Sequence, residues 1–173
     1  TIAAGDVVLG LASNGAHSNG YSLIRKILHL ADADYAAEFD GGKSLGDVVM
    51  APTRIYVKPL LKLMQAMTVK GMAHITGGGI TENVPRVLPA NVVAQIDAKS
   101  WTMPKLFQWL QEQGNVEAQE MYKTFNCGVG MVVVMAAADA AAATSLLELE
   151  GETVYQLGTV RARVGDEHQT QVA

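Results

Sequence analysis

The feature that most constrains the fold is a polar, glycine-containing stretch, 13–26, that directly follows a short apolar run at 7–12. A continuous apolar run of this length indicates a buried strand. Apolar residues then recur at helical spacing over 21–30. The stretch therefore predicts a strand, a tight turn and a helix in succession. Gly15 and Gly20 permit backbone angles that other residues resist, and they let a ligand approach the main chain.

The turn also carries residue types that suit an anion. Ser13, Ser18 and Asn19 are of the types that cap a helix start. The first N–H groups of a helix lack partners and bear a partial positive charge, which favours phosphate. His17, inside the turn, is of the type that titrates near neutral pH. Taken alone, however, the stretch favours a plain strand-to-helix connection over a binding loop.

A second glycine loop changes that balance. Residues 72–79 read as another strand that ends in three consecutive glycines, and 80–84 read as a short helix. Glycines at a strand end cost chain entropy and add no side chain to pack, so a chain tolerates them where something approaches the backbone. Successive N–H groups in such a turn can form an anion-binding nest. Neither loop has the pattern of a P-loop or of a dinucleotide-binding fingerprint.

Composition limits the class of protein. The 173 residues are 49% hydrophobic and 17% charged, which predicts one folded domain with a sizeable core. The net charge of −4, without a basic cluster, argues against nucleic acid and anionic membranes as partners. The lone Cys127 excludes an internal disulfide and reads as a small core residue. The longest apolar run, 129–138, is shorter than the roughly 20 residues that span a bilayer.

The order of elements predicts an α+β fold, with a mixed β-sheet flanked by helices on both faces, in one domain over 1–173. Further strands are expected at 92–96 and after Gly128, with a helix between Pro104 and Gly114. The region 31–46 reads as a surface connection, and the last two strands read as a hairpin-like pair. We expect no signal peptide, and because the chain begins without Met we expect a piece of a longer polypeptide.

Two further residues are of interest because of their positions. Arg54, at the entry of a helix near 55–67, is placed to reach either a phosphate or a carboxylate, and a structural ion pair is equally consistent with its position. His74, at the end of the second strand, reads as a buried histidine with its hydrogen bonds satisfied.

As a set, five motifs resemble the aminoimidazole ribonucleotide synthetase family, also called phosphoribosylformylglycinamidine cyclo-ligases. The resemblance covers almost the whole chain, in order, but only the C-terminal domain of the two-domain family enzyme. The motifs are 15–23 (Gly-x-His-Ser-Asn-Gly-Tyr-Ser-Leu), 51–56 (Ala-Pro-Thr-Arg-Ile-Tyr), 74–79 (His-Ile-Thr-Gly-Gly-Gly), 82–86 (Glu-Asn-Val-Pro-Arg) and 124–131 (Thr-Phe-Asn-Cys-Gly-Val-Gly-Met).

The resemblance implies an ATP-dependent ligase of purine biosynthesis that converts formylglycinamidine ribonucleotide to aminoimidazole ribonucleotide in the cytoplasm. In that family the N-terminal domain forms the homodimer and supplies the acidic residues that hold Mg²⁺ and ATP. That domain is absent here, so we expect the chain to be inactive alone and to need its own N-terminal domain as a partner. The alternatives are a non-catalytic phosphate- or nucleotide-binding module, a structural dimerisation domain, or a related enzyme such as formylglycinamidine ribonucleotide synthetase.

Within that reading, both loops are expected at one edge of the sheet, closing over the phosphate groups of a small-molecule substrate. His17 is the candidate catalytic residue, for charge stabilisation or proton transfer, and its alternative role is a hydrogen bond that holds the loop. No metal ligands are assigned. The candidate substrate- and phosphate-binding residues are Asn14, Gly15, Ser18, Asn19, Gly20, Thr76, Gly77, Gly78, Gly79 and Asn126.

Overall fold

A computed structural model describes all 173 residues as one six-stranded sheet, a small two-stranded sheet and seven α-helices. The strands are β1 (Val7–Ala12), β2 (Glu38–Asp40), β3 (Lys43–Ser44), β4 (Gly71–His74), β5 (Val92–Ile96), β6 (Val129–Met135), β7 (Val154–Ala162) and β8 (Thr170–Val172). The helices are α1 (Tyr21–Leu30), α2 (Leu45–Val49), α3 (Val57–Ala66), α4 (Gly79–Asn83), α5 (Lys105–Gly114), α6 (Ala118–Thr124) and α7 (Ala140–Leu149). None of the helices combines the length and the hydropathy needed to cross a bilayer.

The main sheet has the strand order β4-β6-β1-β7-β5-β8. All neighbouring pairs are antiparallel except β5 and β8, which are parallel. The sheet is therefore mixed, as predicted. The expected hairpin-like pair at the C-terminus is wrong, because β5 lies between β7 and β8. The pairing of β8 depends on a contact with residues more than 70 positions away, which no local pattern encodes.

Side chains of the central strands alternate between two apolar layers, which confirms helices on both faces. On one face, Val8 and Val132 belong to the larger core, which also contains buried residues of α1, α4, α5 and α6. On the other face, Leu9 and Val133 pack with buried residues of α3 and α7. Because the side-chain period of a strand is two, one apolar run serves both layers.

Two local predictions need correction. The region 31–46 contains the small β2–β3 hairpin and leads into α2, so it is more ordered than a plain connection. Gly114 does not end its helix by a left-handed turn; Asn115 takes that conformation (φ 46°). A Cβ at Gly114 would lie 2.6 Å from Ile27 Cδ1, so this glycine permits close packing of α5 on α1.

Candidate functional site

The two glycine loops lie at the same edge of the main sheet. β1 and β4 both run antiparallel to β6, so they are parallel to each other and their C-terminal ends face the same way. A Cβ built on Gly77 in the second loop would lie 3.8 Å from Asn19 Oδ1 in the first. The prediction that the loops are neighbours is therefore confirmed.

The first loop, 13–20, is held from beneath by the fully buried side chain of Asn126. Asn126 Nδ2 donates to the carbonyl of Gly15 (2.8 Å), and Oδ1 accepts from Ser13 Oγ (2.9 Å) and from the N–H of Gly128 (2.8 Å). The structure thus places this candidate contact residue under the loop, with its polar atoms already bonded. Asn126 and Gly15 are 111 residues apart in sequence, so no local pattern predicts this contact.

His17 lies inside the first loop, in the left-handed backbone region (φ 55°), and is only 4% exposed. Its Nε2 accepts from the N–H groups of Asn14 (3.1 Å) and Arg54 (3.4 Å). Burial, with smaller effects from His74 and Arg54, lowers the pKa of His17 to about 4. The ring is therefore neutral at pH 7, and since Nε2 accepts, we assign the proton to Nδ1.

That Nδ1–H is buried and has no acceptor in the chain. A buried donor left without a partner costs about 1–3 kcal/mol, so such groups are uncommon in folded proteins. One nitrogen of His17 thus fixes the loop, while the other is a donor whose partner this chain does not supply.

His74 is exposed and makes no side-chain hydrogen bond, so its interpretation as a satisfied buried histidine is wrong. Its ring centroid lies 6.5 Å from that of His17 and 6.3 Å from that of Tyr56. Tyr56 in turn donates to the carbonyl of Ala12 (2.7 Å), at the end of β1. Strand alternation places His74 on the opposite face of the sheet from the buried Ala73 and Ile75, and at the end of β4 that face is open.

Arg54 forms an ion pair with a carboxylate, which confirms one of the two interpretations of its position. Its Nε donates to the buried carboxylate of Glu152 (2.8 Å), and its Nη2 donates to the carbonyl of Gly151 (2.8 Å). A longer bond joins Nη1 to Asn14 Oδ1 (3.4 Å). Nε and Nη2 of the guanidinium are therefore used within the protein.

The second loop, 75–79, is held by another buried asparagine. Asn83 Nδ2 donates to the carbonyls of Thr76 (3.2 Å), Gly77 (3.1 Å) and Gly79 (2.8 Å). Its Oδ1 accepts from the Thr76 hydroxyl (3.2 Å). The carbonyls of the loop therefore turn inward, and the Thr76 hydroxyl is already bonded. Sequence reasoning placed Asn83 in a motif but assigned it no role.

Several backbone N–H groups of the two loops and of the first turn of α1 donate to no acceptor in the chain. They include those of Ser18, Gly20, Tyr21, Ser22, Gly77 and Gly78. The expected caps are wrong: Gly20 (φ 72°) is the N-cap of α1, and no side chain caps that helix. Ser13 bonds Asn126 instead, and Ser18 Oγ lies 3.3 Å from Thr53 Oγ1. The helix start therefore keeps its free donors and its partial positive charge.

A cavity of about 430 Å³ opens beside the first loop, on the side of the β2–β3 hairpin. Its walls include Ser13, Asn14 and Gly15 from the loop, together with Asp40 and Lys43 from the hairpin. No group of three or more His, Cys, Asp or Glu side chains is placed to hold a metal ion. The arrangement offers hydrogen-bond donors for oxyanions and one neutral histidine, and no cluster of ligands for a cation.

Comparison with known proteins gives one family for nearly the whole chain. Residues 3–170 match the family described as "AIR synthase related protein, C-terminal domain". The chain is 72% identical over 173 residues to the phosphoribosylformylglycinamidine cyclo-ligase of Neisseria meningitidis serogroup C, covering 100% of this chain and 50% of that protein. It is 70% identical over 172 residues to the cyclo-ligase of Chromobacterium violaceum, covering 99% of this chain and 50% of that protein. The chain thus spans about half the length of these relatives.

Solved structures share the fold at low sequence identity. The hydrogenase maturation protein HypE of E. coli has a TM-score of 0.65 at 16% identity, covering 100% of this chain and 48% of that one. Thiamine-monophosphate kinase of Stenotrophomonas maltophilia K279a has a TM-score of 0.59 at 16% identity, covering 99% of this chain and 51% of that one. At these identities the likeness establishes the fold alone.

Proposed function

The chain belongs to the family of AIR synthase related proteins, as its C-terminal domain, and from this premise we propose that it is the C-terminal half of an ATP-dependent cyclo-ligase. The reaction is the conversion of formylglycinamidine ribonucleotide to aminoimidazole ribonucleotide in purine biosynthesis. The observation that carries the proposal is the 72% identity, over the full chain, to cyclo-ligases of about twice its length. It favours this activity over a non-catalytic module or a more distant enzyme of the superfamily.

In this proposal the two loops hold phosphate oxygens through their free N–H groups. ATP supplies the phosphoryl group that activates the substrate's amide oxygen; a substrate nitrogen then attacks, phosphate leaves and the imidazole ring closes. Such chemistry depends on positioning and on neutralising spread negative charge. The free amides of Gly20 and Tyr21 on one side, and of Gly77 and Gly78 on the other, fit that requirement.

We propose that the binding contacts come from main-chain groups and that the side chains beneath them set their positions. The amides of Ser18, Gly20, Gly77 and Gly78 belong to the first group. Asn83 and Asn126 fix the shape of the loops without touching the ligand.

The remaining partners belong to the other half of the protein. Because this chain has no cluster of side chains that suits a divalent cation, we propose that Mg²⁺ and most of the nucleotide are bound by the N-terminal half. We further propose that the full-length protein is a cytoplasmic homodimer and that the isolated chain is inactive.

His17 remains the candidate catalytic residue, as a neutral hydrogen-bond donor. With its pKa near 4, the ring is unprotonated at neutral pH and cannot act as a cation. We propose that its Nδ1–H donates to a substrate or phosphate oxygen when the site is assembled. The support is that this donor is buried and has no partner within the chain.

The test is a two-domain protein that joins this chain to the N-terminal half of the Neisseria meningitidis relative. We expect ATP-dependent formation of aminoimidazole ribonucleotide by the joined protein and none by the chain alone. Absence of this reaction in a folded joined protein would contradict the proposed function.

A pair of variants separates the two roles of His17. His17→Gln keeps an acceptor near the Nε2 position and loses the Nδ1 donor; His17→Asn keeps a donor near Nδ1. If Nδ1 acts on the substrate, His17→Gln lowers kcat by about 10²-fold or more, the range for a positioned proton or hydrogen-bond donor. His17→Asn should retain more of the turnover. Equal loss in both variants, matched by equal loss of stability, would leave only the loop-holding role.

A further inference from the structure

One flank of α3 is apolar and uncovered. Val57, Leu61 and Met64 recur at positions i, i+4 and i+7, and their exposed fractions are 60%, 49% and 44%. Ile55, just before the helix, is 78% exposed. The neighbouring flank, with Leu60 and Leu63, is buried in the smaller of the two cores, so α3 is apolar well beyond the face that the fold covers. We call Ile55, Val57, Leu61 and Met64 the α3 stripe.

The α3 stripe is continuous with the site at one end. Thr53 and Arg54, which precede it, lie against the first loop: Ser18 Oγ is 3.3 Å from Thr53 Oγ1, and the Arg54 N–H donates to His17 Nε2. At the other end, Met64 opens onto a shallow groove of about 520 Å³ that Met67 and Val69 also line. Lys58 lies beside the stripe on the helix surface, is exposed, and takes part in none of the four ion pairs of the chain.

We propose that the α3 stripe is the docking surface for the N-terminal half of the same protein, and that this contact brings the partner half over the first loop. The inference rests on the proposed function. It is argued from the relatives, which have a further half about as long as this chain, and from the proposed reaction, which needs that half to lie over the first loop. Contiguous exposed apolar residues mark such interfaces, with polar residues at the margin. A half seated on Ile55 lies beside His17, where it can enclose the phosphate that accepts from Nδ1.

Cysteine labelling tests this without relying on activity. The only native cysteine, Cys127, is fully buried, and burial raises the pKa of its thiol to about 12, so it does not react. Val57→Cys and Leu61→Cys each place one reactive thiol on the α3 stripe. Leu30→Cys is the matched control, because Leu30 is a helical residue that is 67% exposed, at the end of α1 on the other face of the sheet. Labelling rates with a maleimide are compared between the isolated chain and the joined two-domain protein.

We expect labelling at positions 57 and 61 to slow at least tenfold in the joined protein, while position 30 labels equally fast in both. Unchanged rates at 57 and 61 would overturn the inference, even if the joined protein is active. Protection that already occurs in the isolated chain and grows with its concentration would assign the stripe to a second copy instead. Protection in a folded but inactive joined protein would support the docking surface and contradict the proposed function.

Discussion

The two glycine loops have similar supports but differ in how fully their polar groups are bonded. Each follows a strand at the same sheet edge, and each is held by hydrogen bonds from one buried asparagine: Asn126 for the first loop and Asn83 for the second. In the second loop, the side-chain amide of Asn83 and the hydroxyl of Thr76 both have hydrogen-bond partners. In the first, His17 keeps a buried Nδ1–H without a partner.

This difference indicates that the two loops have different roles, one in positioning the ligand and one in the reaction. The second loop presents main-chain amides, and its shape is closed by its hydrogen bonds to Asn83. The first loop has the same kind of amide surface and, in addition, a donor that only an incoming group can satisfy. A buried polar group without a partner needs an explanation in a native fold, and a role in catalysis is one such explanation. The first loop is therefore where we place the chemistry, and the second is where we place the positioning.

The largest expected effect comes from breaking the shape of the second loop with Gly79→Ala. Gly79 has φ 57°, and a Cβ there would lie 2.1 Å from the carbonyl oxygen of Tyr122 and 2.7 Å from that of Phe125. Neither backbone atom can move aside easily, so we expect a loss of about 4 kcal/mol or failure to fold. The measurement is urea unfolding. The control is Gly77→Ala, whose Cβ meets only Asn19 Oδ1 at 3.8 Å, and which should cost less than about 0.5 kcal/mol.

The next effect compares the two asparagines. Asn83→Ala and Asn126→Ala each leave several buried backbone groups without partners, and we expect each to lower the free energy of unfolding by about 3 kcal/mol. Asn19→Ala is the control, since Asn19 is half-buried and its side chain makes no hydrogen bond. Thermal and urea unfolding measure all three. A cost near zero for either buried asparagine would show that its loop does not depend on it.

A smaller effect is expected in the pH dependence of stability, through His17 in the first loop. The pKa of His17 in the folded protein, about 4, lies below the unfolded value of 6.5. Below pH 6.5 the unfolded chain therefore binds a proton at His17 that the folded chain does not bind. The contribution of His17 to the free energy of unfolding is thus complete above that pH and falls as the pH drops toward 4. Between pH 7 and pH 5 this contributes a loss of about 2 kcal/mol.

Unfolding of the native protein and of His17→Gln at several pH values isolates this contribution. The variant should lack that part of the pH dependence, while the part due to carboxylates remains in both proteins. Parallel pH profiles would mean that His17 is not held neutral by the fold.

Sequence patterns predict those parts of the structure that depend on neighbours along the chain. The bounds of β1, α1 and β5 follow from a continuous apolar run or from helical spacing, and the glycines mark both loops. What the patterns miss is set by distant contacts. The place of β8 beside β5, the bonds of Asn126 to a loop 111 residues away, and the absence of a cap on α1 arise only when the strands assemble. His74 belongs to the same group, because alternation predicts its sheet face but its exposure depends on where the covering helices end.

The central claim is that the free amides of both loops face one anion together. Backbone amide shifts of the chain are followed by NMR during titration with inorganic phosphate, with chloride at equal ionic strength as the control. We expect saturable shifts at Ser18, Gly20 and Tyr21 in the first loop and at Gly77 and Gly78 in the second, all fitting one dissociation constant. Shifts confined to one loop, or none at either while other surfaces respond, would contradict a shared anion site.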